Sequence, residues 1–573
     1  MSTTFNFGQL DIDAPPPVIG NGRPLRLVLL GDFSGRANRG EQRIGDELAR
    51  CKPMRLDVDT IERVIASFGT RLQLDIGGES IELRPASIDD LHPDALYDKL
   101  PLFAELAGLR QRLSHPKTSK AAAEEVRGWA GAATTPMMPA RARGNTLRVD
   151  AKLSDFARLV ARPNRAPTPT ERIDRLLQAA VAPHIEETGA ADAEALTAAV
   201  DRSLSAVMRG LLHHPDFQCL EAAWRSLDFI ARRIETGARL QCLLYDISAE
   251  EFAADLSATD RLEETGLYRL LVEQPALDAQ AGAAYALIGH YGFEMTPPHA
   301  ELLGRMARIA AHARAPFIAA IGPDCITTRA EDLHPLTAEA WQALRALPAA
   351  SHLGLTVPRF LLRTPYGARS EPIDSFDFEE FDSRSGLKSL LWGNAAVLTG
   401  VLLAGHALHS GPAVAPGRML SLGDMPYYVY ADEDGESIPL PCTERLLTER
   451  KAVQIHAFGF MPVLAMKGRP EVRLGGFLSV GGQPLAGSWT GAAPPSAAAP
   501  SGTGTGTSHG DTPVATAADT ESASGAPDPV SMPSTAPGRD AELDALLAGL
   551  DDGPPAVPSG GMDPELEAML KDL

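Results

Sequence analysis

The sequence predicts an α/β protein with mixed sheets and flanking helices, preceded by an extended N-terminal arm and followed by a disordered C-terminal tail. Three observations carry this. Apolar runs at Tyr285 to Tyr291 and Phe317 to Ile321 are separated by a helical pattern from Pro298 to Ala313, a strand-helix-strand rhythm. The short apolar run Leu25 to Leu30 stops at Gly31, as a buried strand does. From Thr490 to about Arg539 the chain is Ala, Gly, Ser, Thr and Pro with almost no large apolar residue. Such a segment cannot bury enough surface to offset the entropy lost on ordering.

In chain order, residues 1–24 are polar and hold Pro15, Pro16 and Pro17, which suits an arm rather than a folded element. After the Leu25 strand, Ile61, Val64, Ile65 and Phe68 fall at helical spacing, with Asp59 or Thr60 placed to cap. Leu72 to Ile76 and Ser80 to Leu83 flank Gly77-Gly78, a hairpin signal. Pro101 to Leu113 reads as a helix that closes a first domain over 25–115. Residues 116–169 are rich in Ala, Pro and Arg and read as a linker, with a short helix at Leu153 to Val160.

A second domain spans 170–488. It opens with the amphipathic pattern of Ile173, Leu176, Leu177 and Val181. Helices follow over Ala195 to Leu212 and Glu221 to Ile234, then a strand at Leu240 to Ile247. Ala395 to Ala404 is nearly all apolar and predicts a buried helix. Val472 to Val480 reads as a terminal strand. Residues 489–539 form the disordered segment.

Residues 540–573 carry a repeat. Leu543, Leu546, Leu547 and Leu550 are matched by Leu566, Met569, Leu570 and Leu573, each set at i, i+3, i+4, i+7. Asp540 and Asp563 stand at N-cap positions, and Pro564 at the first helical position. Helices this short are marginal alone. On a flexible tether they read as docking peptides, two copies adding avidity; a C-terminal clasp on the parent domain is the competing reading.

Composition excludes several functions. At 573 residues the chain exceeds one ordinary domain. Its net charge of −21 argues against nucleic acid and anionic membrane surfaces, and the 84 residues from Thr490 contribute −11 of it. No apolar run reaches a membrane span and the N-terminus lacks a signal-peptide pattern, so no membrane insertion and a cytoplasmic location are expected. The five scattered cysteines read as reduced thiols.

Candidate chemistry is sparse. His213, His214, Cys219 and Glu221 lack zinc-site spacing, and Pro215 interrupts them. His406 and His409 lie in an apolar helix, where a satisfied pair suffices. Gly31-Asp-Phe-Ser-Gly-Arg36 lacks the lysine and spacing of a phosphate loop and reads as a turn. Glu379-Glu380 has no evident acid/base partner. No catalytic, cofactor-binding or metal-binding residue is identified, no cofactor is expected, and the protein is not expected to be an enzyme.

Longer motifs are more specific. His214 to Leu227, His352 to Gly367, Phe376 to Glu380 and Leu390 to Ala396 together resemble the large subunit of the type VI secretion contractile sheath. Trp224, Pro358, Arg359, Arg363, Tyr366, Trp392 and Asn394 are the structural residues of that resemblance. Pro24 to Arg36, Lys52 to Glu62 and Ser87 to Leu96 look like the small sheath subunit, in the family's order. The chain therefore resembles both subunits fused head to tail.

The resemblance implies sheath-type domains and structural work. Protomers would form a helical polymer of this same chain around an inner tube of stacked hexamers, triggered at a baseplate. Strand exchange between neighbours would use open sheet edges, with Phe5 to Ile12 and Val472 to Val480 as candidates. A recycling AAA+ unfoldase engages a helix near the start of the large subunit, where Ile173, Leu176, Leu177 and Val181 stand; ordinary core packing explains the same pattern equally well. Two other classes stay open: an accessory, non-polymerising adaptor that recruits partners through its tail, and an enzyme with an unrecognised site.

Overall fold

Local chain chemistry builds the elements, and long-range pairing arranges them. A computed structural model describes residues 5–10, 23–76, 79–129, 193–277, 282–329, 332–383, 386–417, 419–431 and 435–490, with scattered positions between Ile173 and His184. The described residues fall within one unit that ends at Ser496.

The main elements run in chain order. The first stretch holds β1 (Leu25–Gly31), β2 (Met54–Leu56), α1 (Ile61–Ser67), β3 (Leu72–Ile76), β4 (Glu79–Leu83), α2 (Pro101–Ser114) and α3 (Ser119–Arg127). Next come α4 (Ala193–Leu212), α5 (Pro215–Arg233), β5 (Leu240–Asp246), α6 (Ala249–Ser257), β6 (Ala284–Phe293), α7 (Pro297–Ala313), β7 (Phe317–Ile321), α8 (Pro335–Arg345) and β8 (Leu353–Val357). The last stretch holds β9 (Phe360–Leu361), β10 (Trp392–Gly393), α9 (Ala395–Ser410), β11 (Ser421–Leu422), β12 (Val429–Ala431), β13 (Ser437–Pro439), α10 (Glu449–Ala457), β14 (Met461–Ala465) and β15 (Val472–Leu474).

Nine strands make the main sheet, in the order β11-β15-β14-β8-β7-β6-β1-β5-β2. The six strands from β14 to β5 are parallel to their neighbours, while β2, β15 and β11 run antiparallel to theirs. This is the expected mixed sheet. Strand β1 lies inside the sheet, third from its β2 edge. It pairs with β5 along its whole length, from Leu25 opposite Leu240 to Gly31 opposite Asp246, and with β6 on its other side. The two sequence halves therefore share one sheet.

Its apolar run explains why β1 occupies the interior of the sheet. A strand covered on both faces needs apolar side chains at every position. Leu27 and Leu29 face one core with Trp224 of α5 and the start of α9. Val28 and Leu30 face the other with Phe252 of α6, Leu303 of α7 and Trp341 of α8. The result is a helix-sheet-helix sandwich.

Several expectations meet a different outcome. Helix α3 occupies the start of the stretch read as a linker, burying Ala122, Ala123 and Val126. Helix α5 begins at Pro215, six residues before the expected start, because Pro215 takes the first helical position and His214 caps it by accepting from the Asp216 amide. Helix α1 has no side-chain cap; the Thr60 hydroxyl donates to the Asp57 carbonyl instead. The strand expected over Val472 to Val480 stops at Leu474. Gly476 follows with φ of 145°, and the Val480 amide donates to the Leu353 carbonyl, so the chain turns across β8. Leu153 to Val160 and residues 540–573, with Leu543, Leu546, Leu547, Leu550, Leu566, Met569, Leu570 and Leu573, lie outside the described residues.

Phe5 to Ile12 is the arm expected to exchange between copies. Its described part, Phe5 to Leu10, packs on its own chain: the Gln9 amide donates to the Asp260 carbonyl, and the Leu262 amide donates back to Gln9. Among the described residues no helix is long and apolar enough to cross a membrane.

Candidate functional site

Two buried ionic clusters hold the shared sheet to its helices, and they contain Trp224, Arg363 and Tyr366 among the residues singled out by sequence. The first sits at the C-terminal end of β1. Chain order reverses here, with β5 placed on one side of β1 and β6 on the other, the position where open α/β sheets bind ligands. In this chain it is filled from within. Arg36, from the tight turn after β1, reaches the Asp246 carboxylate at the end of β5 and Glu251 in the first turn of α6. Glu251 also completes a capping box with Ser248. Asp246 accepts from the Phe33 and Ser34 amides at 2.9 and 3.1 Å, and Asp32 accepts from the Arg36 and Ala37 amides at 3.0 and 3.1 Å.

Two carboxylates, Asp246 and Glu251, thus share one guanidinium, with Asp32 held beside them on backbone amides. Burial, then the nearby Asp246 charge, push the Asp32 carboxyl up to about 7 against those amide bonds. Burial opposes the charge on Arg36, but Asp246 and Glu251 outweigh it and hold the guanidinium above its ordinary value. Trp224 closes the cluster from α5, its indole N–H donating to the Phe33 carbonyl at 2.8 Å. The cavity beside it, lined by Asp32, Asn38, Asp216 and Cys219, has about 10 Å³ of free space, room for a single water. Burial pushes the Cys219 thiol up to about 12, far from thiolate chemistry.

The second cluster lies between α5 and the chain after β9. Arg363 is 7% exposed, and Glu221 and Glu380 are at most 1% exposed. Arg363 Nε donates to Glu221 Oε1 at 2.7 Å, and its Nη1 and Nη2 donate to Glu380 at 2.6 and 3.0 Å. The Tyr366 ring lies 4.2 Å from the guanidinium carbon. The Tyr366 amide donates to Glu380, and its hydroxyl accepts from Arg225. Burial alone would raise Glu380, but Arg363 outweighs it and holds the carboxyl at about 2. Glu221 is likewise held below its ordinary value by Arg363 and Arg225 against its burial.

The other singled-out residues are structural in visible ways. Pro358 is buried at the end of β8. Arg359 pairs with Glu444, Nε to Oε2 at 2.8 Å, from a half-exposed position. The Trp392 indole donates to the Leu387 carbonyl and packs with Leu361 and Leu390. Asn394 caps α9 by accepting from the Ala396 amide and donates its side-chain amide to the Tyr291 carbonyl. Leu176, Leu177 and Val181 are no more than 5% exposed and lie in the core; Ile173 is half-buried. That is the packing alternative for this helix face.

His213 and His214 do not converge with Cys219 on a metal. His214 caps α5, and His213 Nε2 stands 3.7 Å from Glu380. Among the described residues no group of three or more His, Cys, Asp and Glu side chains is placed to hold a metal. Glu380, read from sequence as lacking a partner, is paired with Arg363 seventeen residues upstream. Sequence reasoning missed Arg36, Asp246, Glu251 and Glu444. Only Arg36 carried a signal, as the end of the Gly-Asp-Phe-Ser-Gly-Arg turn. Chemically, both clusters consist of charges consumed by one another, which suits holding elements in place.

Comparisons with known proteins agree with this arrangement. Residues 194–480 match the VipB family, described as a tail sheath N-terminal domain. Residues 22–128 match the VipA family of the type VI secretion system. The chain is 31% identical over 294 residues to a type VI secretion system sheath protein, TssC1, of Pseudomonas aeruginosa, covering 48% of this chain and 58% of that protein. It thus spans little more than half the length of that curated relative.

Proposed function

Because the chain belongs to the type VI secretion sheath family, with VipA-like and VipB-like regions in one polypeptide, we propose that it is a structural protomer of a contractile sheath. Protomers polymerise into a helical tube around an inner tube of hexamers, and contraction, released at a baseplate, propels that tube. The observation that carries this reading is the position of β1. A strand from the small-subunit-like region lies between two strands, β5 and β6, of the large-subunit-like region, inside the sheet that region completes. One chain thereby supplies a whole sheath building block at fixed stoichiometry.

The work is mechanical: two packings of one interface, rather than bond chemistry. Sheath families are not enzymes, and the paired buried charges and the water-sized cavity support a non-catalytic role. The setting is the cytoplasm, consistent with a helix content that holds no membrane span among the described residues. An AAA+ unfoldase recycles contracted sheath through the helix face of Ile173, Leu176, Leu177 and Val181, once that face leaves the core. The repeated Leu/Met faces of residues 540–573 dock a partner.

Negative-stain electron microscopy of the purified full chain, with and without the inner-tube protein, tests the proposal. Striated tubes are expected. Monomers or small oligomers under both conditions would overturn it in favour of the accessory adaptor.

A further inference from the structure

The first described residues of the chain fill a surface groove that is shaped for them. Phe7 lies flat on α7 where only glycine permits it: a Cβ on Gly304 would stand 2.1 Å from Phe7 Cδ1. Gly8 turns the arm with φ of 67° against Leu262, whose side chain a Cβ would meet at 2.9 Å. Asn6 is held on every polar group it has. Its amide donates to Glu301 Oε1 at 3.0 Å, and its side-chain nitrogen donates to Asp260 Oδ1 at 2.7 Å. Its side-chain oxygen accepts from the Gly8 amide at 3.0 Å, and its carbonyl accepts from Arg305 Nε at 3.3 Å. Arg305 is 8% exposed and is itself anchored on the Leu256 and Thr259 carbonyls and on Asp260, so the groove stands ready-made. The two Gln9 bonds to Asp260 and Leu262 add a short parallel strand contact.

This groove reads a Phe-Asn-Phe-Gly-Gln segment by shape and by hydrogen bonding. Its residues all come from the large-subunit-like half, while its occupant is the other end of the same chain. The arm is joined to β1 through residues 11–24 alone, so its effective concentration at the groove is on the order of millimolar. A segment held this way in its own groove is withheld from any sheet edge on another copy. The arm nevertheless remains at the surface, with Asn6 and Gln9 exposed and Phe5, Phe7 and Leu10 half-buried. We infer that the groove at Gly304 and Arg305 is a latch: it keeps the arm docked on its own chain before assembly, and the arm must leave it before copies join. This rests on the proposal that the chain polymerises.

Three full-length forms test it: wild type, Asn6→Ala with Phe7→Ala to release the arm, and Gly304→Leu to fill the groove. A fluorescent synthetic peptide of residues 2–12 reports whether the groove is vacant, by anisotropy. The peptide is expected to bind the released form at least about tenfold more tightly than wild type, where the tethered arm competes, and not to bind Gly304→Leu. Sedimentation and electron microscopy then give the concentration at which each form assembles. The released form is expected to assemble at a concentration about tenfold below wild type, the tethered arm no longer being held back. Equal peptide binding by wild type and the released form overturns the latch. So does assembly of the released form at the wild-type concentration or above, with polymers seen in both, and in that case the sheath proposal stands. If no form assembles at any concentration, the sheath proposal and the latch fall together. Asn6→Ala alone, a surface change, repeats the comparison should the double variant fold poorly.

Discussion

Arg363 holds Glu380 through two near-parallel hydrogen bonds, Nη1 to Oε2 at 2.6 Å and Nη2 to Oε1 at 3.0 Å, while its Nε and Nη2 hold Glu221 at 2.7 and 3.2 Å. The fork geometry of a guanidinium matches two carboxylates where an ammonium cannot. This one side chain ties α5 to the segment that follows β9.

Removing that side chain leaves two buried carboxylates without a counter-charge. Arg363→Met should cost about 3–5 kcal/mol, read by urea unfolding of the full chain. Arg363→Lys should recover only part of this loss. Arg359→Ala, at the half-exposed pair with Glu444, should cost under about 1 kcal/mol. Equal costs for the two arginines would show that burial does not set their difference.

The two clusters respond to pH in opposite directions. Asp32, pushed up to about 7 by burial and by Asp246, binds its proton more readily folded than unfolded. Its contribution is full below the ordinary value of 3.8 and is lost as pH rises through about 7. Glu380, held at about 2, contributes fully above its ordinary 4.5 and loses that contribution as pH falls toward 2. Thermal stability should therefore peak at about pH 4 and fall on both sides. Asp32→Asn should flatten the fall between about pH 4 and 7 and leave the acid limb in place; an unchanged alkaline limb would remove Asp32 as its cause.

Trp224 supplies a hydrogen bond as well as volume. In Trp224→Phe the buried Phe33 carbonyl loses its indole donor at the junction of β1 and α5. A loss of about 1–3 kcal/mol is expected beyond that of the reduced packing. The comparison is with Phe217→Leu on the same helix, which removes apolar volume and no donor. Chemical denaturation of both variants provides the measurement.

The helix face at Leu177 is covered. Leu177→Ala should destabilise the chain by about 2–5 kcal/mol, and the half-buried Ile173→Ala by less. A peptide of residues 170–184 should bind a recycling unfoldase, and the folded, unassembled chain should not. Equal binding by both in a pull-down would mean that the face is reachable without leaving the core.

Local signals read well where the element is self-contained. The apolar runs of β1, β6 and β7, the amphipathic pattern of α7, the continuous apolar stretch of α9 and the hairpin of β3 and β4 were all legible, because side-chain periodicity is a local property. Reading failed at the ends. Val472 to Val480 reads as one strand by its spaced apolar residues, yet Gly475 and Gly476 let the backbone leave the sheet; a Cβ on Gly475 would stand 2.7 Å from His456 and Pro462. Pro215 looked like a break and is a helix start.

Within the candidate site, residue order alone picks out the sheath pattern: Trp224, Arg363, Tyr366, Trp392 and Asn394 stand in motifs long enough to name a family. It also determined that β1 must be buried on both faces, since no polar residue interrupts Leu27 to Leu30. What covers those faces is set by long-range packing. An apolar run specifies burial but not a partner strand, and β1 found its neighbours more than two hundred residues away, opposite Leu240 and Ala286. The same holds for charge. Glu380 beside Glu379 is an ordinary acidic pair in sequence, and it becomes a buried salt bridge because the fold brings Arg363 and Glu221 to it and excludes water. Which distant groups share a desolvated space is set by how the sheet and helices pack, and no local pattern encodes that.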